Sequence, residues 1–261
     1  SIRVPALEAP ITDQIEDFLV IRYGNSLRGG SQYVKLVAMS ATRIVHTADA
    51  IEWLQQSPVL EGCSLLASMP DIGEFPGFTL SQWREWFSTT ASLILSRTPV
   101  NGVTLFFQSD IKMDGEWVDK GFIVQKAAEA LGHKLLWHKV VCRAPLGQPT
   151  FGRPGYSHIL CFSQGLVLDL AKSTADVMPE TGEKTWVRGM GVDVCAALAR
   201  FIKEQTPTKT LVHPFCGEGS MIAMANAFGL DAIGIERSSK RAEKARQLQV
   251  RNNGQGWVLD L

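Results

Sequence analysis

The stretch His213-Pro214-Phe215-Cys216-Gly217-Glu218-Gly219-Ser220 constrains this chain more than any other. It follows a short apolar run, and after it come an apolar helical segment and then Ala232-Ile233-Gly234-Ile235-Glu236. That order reads as strand, glycine turn, helix, second strand and terminal acid. A turn holding Gly217 and Gly219 lets backbone approach a ligand where a Cβ would block it. Pro214 and Phe215 lie in the same turn. A helix beginning near Gly219 aims its free amides at the same point. An acid at the tip of the next strand, about 20 residues on, is placed to accept bonds from ribose hydroxyls, and Glu236 lies near that spacing. The third glycine of a dinucleotide fingerprint is missing, because Ser220, Met221 and Ile222 follow Gly219. A nucleoside without phosphates, such as S-adenosylmethionine, therefore suits the turn better than a dinucleotide. An ordinary glycine turn at a strand–helix junction is the plainer alternative.

The rest of the chain builds a sheet around that unit. Apolar runs predict strands near 43–46, 63–67, 102–107, 134–142, 157–163, 210–213 and 231–235. Amphipathic stretches predict helices near 49–56, 80–96, 118–131, 191–204, 219–228 and 238–250. Strands alternating with helices imply crossover units, hence a mostly parallel sheet covered on both faces. One connection breaks the rule. Between 134–142 and 157–163 runs a linker with Pro145, Gly147, Pro149, Gly152, Pro154 and Gly155. It cannot form a helix, so those two strands should pair antiparallel. The expected fold is α/β, with a seven-stranded, mostly parallel sheet carrying one reversed strand near its edge. Ahead of it, Ile11, Ile15, Phe18 and Leu19 recur at helical spacing and Gly29-Gly30 ends the segment. Residues 1–32 are thus expected to form a helical extension to a domain spanning 33–261.

Composition excludes few classes. The 26 lysines and arginines balance the 26 aspartates and glutamates of the 261 residues, so overall charge makes no case for a nucleic-acid partner. A local patch would suffice, however. Five cysteines without CxxC spacing point to a reducing, cytoplasmic setting and to no zinc site. No apolar run reaches the roughly 20 residues of a membrane span.

Further candidates sit at predicted strand ends. Gln108-Ser109-Asp110-Ile111-Lys112 follows a strand, at the rim where open α/β sheets bind ligands. Gln108, Asp110 and Lys112 are expected to contact substrate, with a solvated loop as the alternative. Trp83, Trp86 and Phe87 fall at helix spacing and are expected in the core, and His138 on a strand face is expected to be structural. Basic residues concentrate at Lys134, Lys139 and Arg143, and again at Arg237, Lys240, Arg241, Lys244, Arg246 and Arg251. The second group is either a phosphate-attracting surface beside the cofactor turn or a solvated helix face.

An upstream segment completes the pattern. A strand leads into Ala48-Asp49, a short helix follows, and the next strand delivers Ser68-Met69-Pro70-Asp71. With these in place the chain resembles the DNA/RNA amino-group N-methyltransferases, in the permuted order where the catalytic motif precedes the cofactor motif. In that family a strand with an acidic loop leads to a (S/T/D/N)PPY tetrapeptide, and a DPFxGxG turn followed by GiE arrives near the C-terminus. The resemblance covers roughly residues 40–250. It implies a Rossmann-like methyltransferase fold, S-adenosylmethionine as cofactor and no metal. It also implies Asp49, Pro214, Phe215, Gly217, Gly219 and Glu236 as cofactor contacts. Trp186-Val187-Arg188-Gly189 matches the segment that closes over the cofactor's methionine, which adds Arg188 and Gly189. Ser68, Pro70 and Asp71 take the catalytic positions. An exocyclic amine is a poor nucleophile because its lone pair is delocalised, so acceptors such as Ser68 must hold its N–H groups and turn the lone pair toward the methyl.

Three departures bear on that reading. Met69 stands for the first proline, Asp71 for the aromatic that clamps a flipped base, and His213 for an aspartate at the cofactor turn. Phe75 or Phe78 would then supply the missing aromatic face, or Asp71 would hydrogen-bond the target or act as a general base. The resemblance favours a nucleic-acid substrate, RNA over DNA because no target-recognition insert is evident. The rival readings are a non-catalytic methyltransferase-like subunit, and a small-molecule or protein methyltransferase. A protein partner or homodimer is left open.

Overall fold

The structure is a computed structural model that describes residues 18–21, 35–38 and 41–260. The chain divides into two units between Ser40 and Ala41, eight residues later than the boundary expected from sequence. In the first unit β1 (Phe18–Ile21) pairs antiparallel with β2 (Lys35–Ala38). Phe18–Ile21 is therefore extended rather than the end of a helix, and the remainder of the helical reading of 11–22 lies outside the described residues.

The second unit alternates as its patterning predicts. Its elements are β3 (Arg43–Thr47), α1 (Ala50–Gln56), β4 (Cys63–Ala67), α2 (Leu80–Ser96), β5 (Thr104–Gln108), β6 (Ile111–Met113), β7 (Glu116–Val118) and α3 (Lys120–Ala130). They continue with β8 (Lys134–Cys142), β9 (Tyr156–Ser163), β10 (Val177–Met178), α4 (Val192–Gln205), β11 (Thr210–His213), α5 (Ser220–Ala227), β12 (Asp231–Glu236), α6 (Ser239–Gln247), β13 (Gln249–Asn252) and β14 (Trp257–Asp260). Eight strands form one sheet in the order β10-β8-β9-β5-β4-β11-β12-β3. Only β9 runs against the others, paired antiparallel to both β5 and β8.

Alternation along each strand divides the core between two faces. Leu66, Leu105 and Leu211 pack with α4, α5 and α6, whereas Leu65, Phe106 and Val212 pack with α1, α2 and α3. Trp83 and Phe87 are fully buried in the second layer, as their helix spacing predicts. Local chemistry sets the helix starts. Thr79 and Gln82 form a reciprocal capping box at α2, and Asp119 and Ser238 cap α3 and α6. Each such cap is worth about 1 kcal/mol.

Three expectations need correction. The sheet has eight strands rather than seven, because the two-residue β10 pairs parallel with β8 and is too short to show any periodicity. The segment after Ser109 is not a plain loop, since β6 and β7 form a hairpin turned by Asp114 at φ 53 and Gly115 at φ 77. That left-handed Asp-Gly pair is the usual tight-hairpin turn. The last helix stops at Gln247, and β13 and β14 pair across the turn Asn253-Gly254-Gln255-Gly256. Trp257 and Leu259 there pack on the core, which a continued helix would not allow.

Candidate functional site

β3, β12, β11, β4 and β5 are mutually parallel, so their carboxyl ends open on one edge of the sheet. From β11 the chain crosses to β12 on one side, and from β4 it crosses to β5 on the other. That divergence leaves a crevice between the tips of β4 and β11, the position where open α/β sheets take ligands. A cleft of about 230 Å³ lies there. Ser68, Pro70 and Asp71 line it from β4, and Pro214, Phe215, Gly217 and Gly219 line it from β11. Asp49, Glu236, Gln108, Phe75, Arg188 and Gly189 line it too. Two segments far apart in the chain meet because their strands are hydrogen-bonded neighbours, with Leu65 opposite Val212.

On the β11 side the turn is locked from β12. Glu236 is 8% exposed, its Oε2 accepts from the Gly217 amide at 3.2 Å and its Oε1 from the Ser238 amide at 2.8 Å. The Cys216 amide donates to the Ile235 carbonyl at 3.0 Å. Gly217 has φ 57, and a Cβ built there meets nothing closer than the Trp186 indole nitrogen at 4.0 Å. The space over this glycine is therefore open cleft. Trp186 roofs it, with the Arg241 guanidinium 4.6 Å from the indole centroid. Asp49 has a second duty, since its Oδ1 caps α1 by accepting from Ile51 and Glu52.

His213 closes the floor, 4% exposed and with no partner for its Nδ1 among the described residues. Burial pulls its imidazole down to about 3, against about 6.5 for a free histidine. The unfolded chain thus takes up a proton that the folded chain refuses. Stability from this group is complete above pH 6.5 and falls by up to about 1.4 kcal/mol per unit as pH drops toward 3. Between pH 7.5 and 5.0, urea unfolding should show wild-type protein losing roughly 2 kcal/mol more than His213→Asn. Equal losses in the two proteins would mean that His213 is not held neutral by its surroundings.

On the β4 side Asp71 is committed within the protein. Its Oδ1 accepts from the Ile72 amide at 2.9 Å and from Lys120 Nζ at 3.2 Å, and its Oδ2 pairs with Arg153. Lys120 is 2% exposed, with its ammonium 5.4 Å from the Trp83 ring and 5.9 Å from the Phe87 ring. Burial pulls the Lys120 pKa below its ordinary value, and Asp71 offsets part of that pull. The general-base reading of Asp71 does not fit this arrangement, because two cations and an amide already occupy its oxygens. Phe75 packs against Trp86 with ring centroids 4.4 Å apart and planes tilted by 51°, and lines the cleft, whereas Phe78 is exposed and lines a separate apolar groove.

The loop after β5 is only partly at the site. Gln108 reaches the cleft while its Nε2 donates to the Ala67 carbonyl at 3.4 Å. Asp110 and Lys112 do not line it. Asp110 is 1% exposed and accepts from His158 Nε2, the Lys120 amide and Trp117 Nε1 at 2.9, 2.9 and 3.1 Å. Burial alone would raise the Asp110 pKa, but those donors outweigh it and hold the carboxyl below its usual range. Lys112 donates to the Thr150 carbonyl at 3.0 Å beside the Trp117 ring. His138 bonds His158 at 2.8 Å, consistent with a structural part. Asp110, Asp119 and His158 also form a cluster of metal-ligating type, yet Asp110 has protein partners on both oxygens and Asp119 caps α3. Sequence reasoning missed Lys120, Arg153 and Lys184 as cleft residues, named Trp186 only as part of the segment closing over the cofactor, and placed Arg143 in a basic run without locating it. Arg143 directly follows Cys142 at the carboxyl tip of β8, so a strand-end reading could have found it, whereas Lys120, Arg153 and Lys184 lie at a helix start and in irregular segments that no strand-end signal marks.

The sheet order, the single reversed strand and the crevice at the β4–β11 junction define the Rossmann-like methyltransferase fold. Solved structures share it. The cytosine-N4-specific PvuII DNA methyltransferase superposes with a TM-score of 0.61 at 14% identity, over 79% of this chain and 86% of that one. A Thermus thermophilus protein provisionally assigned as a DNA modification methylase, complexed with S-adenosyl-L-methionine, gives 0.60 at 15% identity over 79% and 92%. The complex of M1.HpyAVI with the same cofactor gives 0.55 at 17% over 79% and 99%. No protein-family model and no curated protein sequence matches the chain.

Proposed function

We propose that this protein is an S-adenosylmethionine-dependent methyltransferase that modifies a nucleic acid at a base nitrogen, of the amino-group type its motifs resemble. The observation that carries the reading is the convergence of the Gly217–Glu236 turn and Ser68–Pro70 on one cleft at adjacent parallel strand tips. The cofactor fits the residues present. Glu236 spends two of its roughly four acceptor positions on backbone amides, which leaves the others for ribose hydroxyls. Above Gly217 there is room that any side chain would fill, and Trp186 supplies an apolar roof for an adenosine.

When bound, the cofactor supplies a methyl group on a positively charged sulfur. Ser68 Oγ and the carbonyls near Met69–Pro70 would accept the N–H groups of the incoming amine, holding its lone pair in line. Glu236 and the Gly217 turn would hold that cofactor, and the chemistry it would supply is transfer of the methyl to the amine nitrogen, the electron pair of the broken C–S bond staying with sulfur. The surplus proton leaves to water at the cleft mouth, since Asp71 is committed to its cations. Phe75, rather than the exposed Phe78, offers the apolar face for a base. DNA takes precedence over RNA as the polymer, because the structurally similar PvuII and Thermus thermophilus proteins are named for DNA.

A second reading has one specific observation behind it. The ion triad at Asp71 fills the place of the base-clamping aromatic, as a retired active site in a partner-dependent subunit would allow. Two measurements separate the readings. Calorimetry should show S-adenosylmethionine binding to wild-type protein and roughly 10- to 100-fold weaker binding to Glu236→Gln, since hydrogen bonds to a charged acceptor are worth about 1.5–3 kcal/mol. Labelled-methyl transfer should then appear on DNA or RNA. Binding without transfer to any polymer, or no binding at millimolar cofactor, would favour the non-catalytic subunit and end the methyltransferase reading.

A further inference from the structure

The acids and bases around the cleft are not balanced. Every acid lining it has a partner within the protein. Asp49 caps α1, Asp71 holds Lys120 and Arg153, Glu74 faces Arg188 at 3.7 Å, Glu218 holds Lys244 at 2.7 Å, and Glu236 takes two amides. Arg143 and Lys184 also line the cleft and pair with none of these acids. Three separate segments bring the cations in. Arg143 follows β8, with its amide bonded to the Gly155 carbonyl at 2.7 Å. Arg153 comes from the loop between β8 and β9, and Lys184 from the strap before α4, which the Val192 amide pins through the Glu183 carbonyl at 2.9 Å. The groups feel one another. Burial first and Arg153 second pull Arg143 down, with Asp71 opposing, and Lys184 is pulled down by burial and then by Arg143. Lys120, Arg143 and Arg153 thus share Asp71 as their carboxylate, and Lys184 adds a fourth cation beside Arg143. An excess of positive charge held partly out of water invites an anion.

We propose that Arg143, Arg153 and Lys184 form a phosphate-binding site on the acceptor side of the cleft, which grips the backbone phosphate flanking the nucleotide presented to Ser68. The proposal rests on the nucleic-acid reading above and adds to it the group that fixes the polymer's register. It gives Asp71 a reason to stand where an aromatic would be expected. The carboxylate props Arg153 toward the cleft, and the acceptor is held by its phosphate more than by stacking. Ser109 and Ser157, bonded to each other at 2.6 Å and both at the cleft wall, keep one free hydroxyl hydrogen between them as a neutral donor beside the cations.

The test uses a fluorescein-labelled single-stranded oligonucleotide, with anisotropy read over a series of salt concentrations. Arg143→Gln/Lys184→Gln removes two of the three cations on that phosphate and should flatten the slope of log K against log salt by up to about 0.7, the contribution of one neutralised phosphate on a single strand. A control of equal charge, Lys240→Gln/Arg251→Gln, alters exposed residues that do not line the cleft and should leave the slope within about 0.3 of wild type. S-adenosylmethionine affinity, measured by calorimetry on the same samples, should be unchanged. A slope equally flattened in both doubles, or flattened in neither, overturns the phosphate site. A fall in cofactor affinity in the Arg143/Lys184 double also overturns it, by assigning those cations to the methionine carboxylate. Wild-type protein that binds the cofactor and no oligonucleotide would instead sink the nucleic-acid reading itself.

Discussion

Asp71→Ala protein should be about 3–5 kcal/mol less stable than wild type, the cost of stranding one member of a buried ion pair. Lys120→Met should lose no more than about 2 kcal/mol. The asymmetry follows from who is left behind. Without Asp71, the Lys120 ammonium remains 2% exposed against Trp83 and Phe87 with no carboxylate hydrogen-bonded to it and only the weaker pull of Asp110, and the turn Ile72–Glu74 loses its cap. Without the Lys120 charge, Asp71 still holds Arg153 and the Ile72 amide, and a methionine suits the aromatic surroundings. The pH dependence supplies a second signature. Lys120 has a lowered pKa in the folded protein, so the unfolded chain holds that proton more tightly and stability rises with pH between the two values. Removing Asp71 widens that window. The deficit of Asp71→Ala should therefore narrow as pH rises from 7 to 9, by up to about 1.4 kcal/mol per unit once the lowered Lys120 value is passed. Urea midpoints at both pH values measure it. Equal losses for the two variants, with no pH dependence, would mean that the pair is solvated and the triad does not organise the site.

What could be read ahead of the structure divides along a physical line. β4, β11 and α2 begin and end where apolar periodicity places them, because parallel strands buried on both faces and a long amphipathic helix write their burial directly into sequence. The cofactor-side residues follow from the same logic, since parallel strands put all their carboxyl tips on one edge. Shorter elements were hidden. Three-residue strands such as β6 and β7 carry no period, and only the Asp114-Gly115 turn between them was a usable sign. The turn of the β13–β14 hairpin was likewise visible as Asn253-Gly254, but a lysine- and arginine-rich helix running into it masked the change. The ion network was not legible at all. Lys120 and Arg153 lie 49 and 82 residues from Asp71, in a helix start and an irregular loop whose positions depend on packing. From sequence Asp71 was a carboxylate free for chemistry, and only its partners show it to be a structural counterion.

The two glycines of the β11 turn should separate fold from ligand. Gly219→Ala is expected to cost about 2–5 kcal/mol, the sum of a backbone and a packing penalty. At φ 92 an alanine pays roughly 1–2 kcal/mol for the left-handed backbone, and its Cβ would sit 2.7 Å from the Ala245 α-carbon and 2.8 Å from the Ala245 methyl. Those atoms belong to α6, whose buried Ala242 and Ala245 let it lie close against the turn, and overpacking of that kind adds about 1–3 kcal/mol. The companion change Ala245→Gly should recover only part of the loss, because the α6 backbone would still crowd the new methyl. Gly217→Ala meets a different situation. Its φ of 57 carries the same backbone penalty, but nothing stands nearer than 4.0 Å, so the protein should stay within about 1–2 kcal/mol of wild type. The new methyl instead projects into the space where a bound adenosine would lie, and S-adenosylmethionine affinity should fall by about tenfold or more, a methyl-sized clash costing at least about 1.4 kcal/mol. Thermal unfolding and cofactor calorimetry on both variants decide the matter. If Gly217→Ala bound the cofactor as wild type does, the turn would be only a helix–strand junction, and the cleft beside Glu236 would belong to some other ligand.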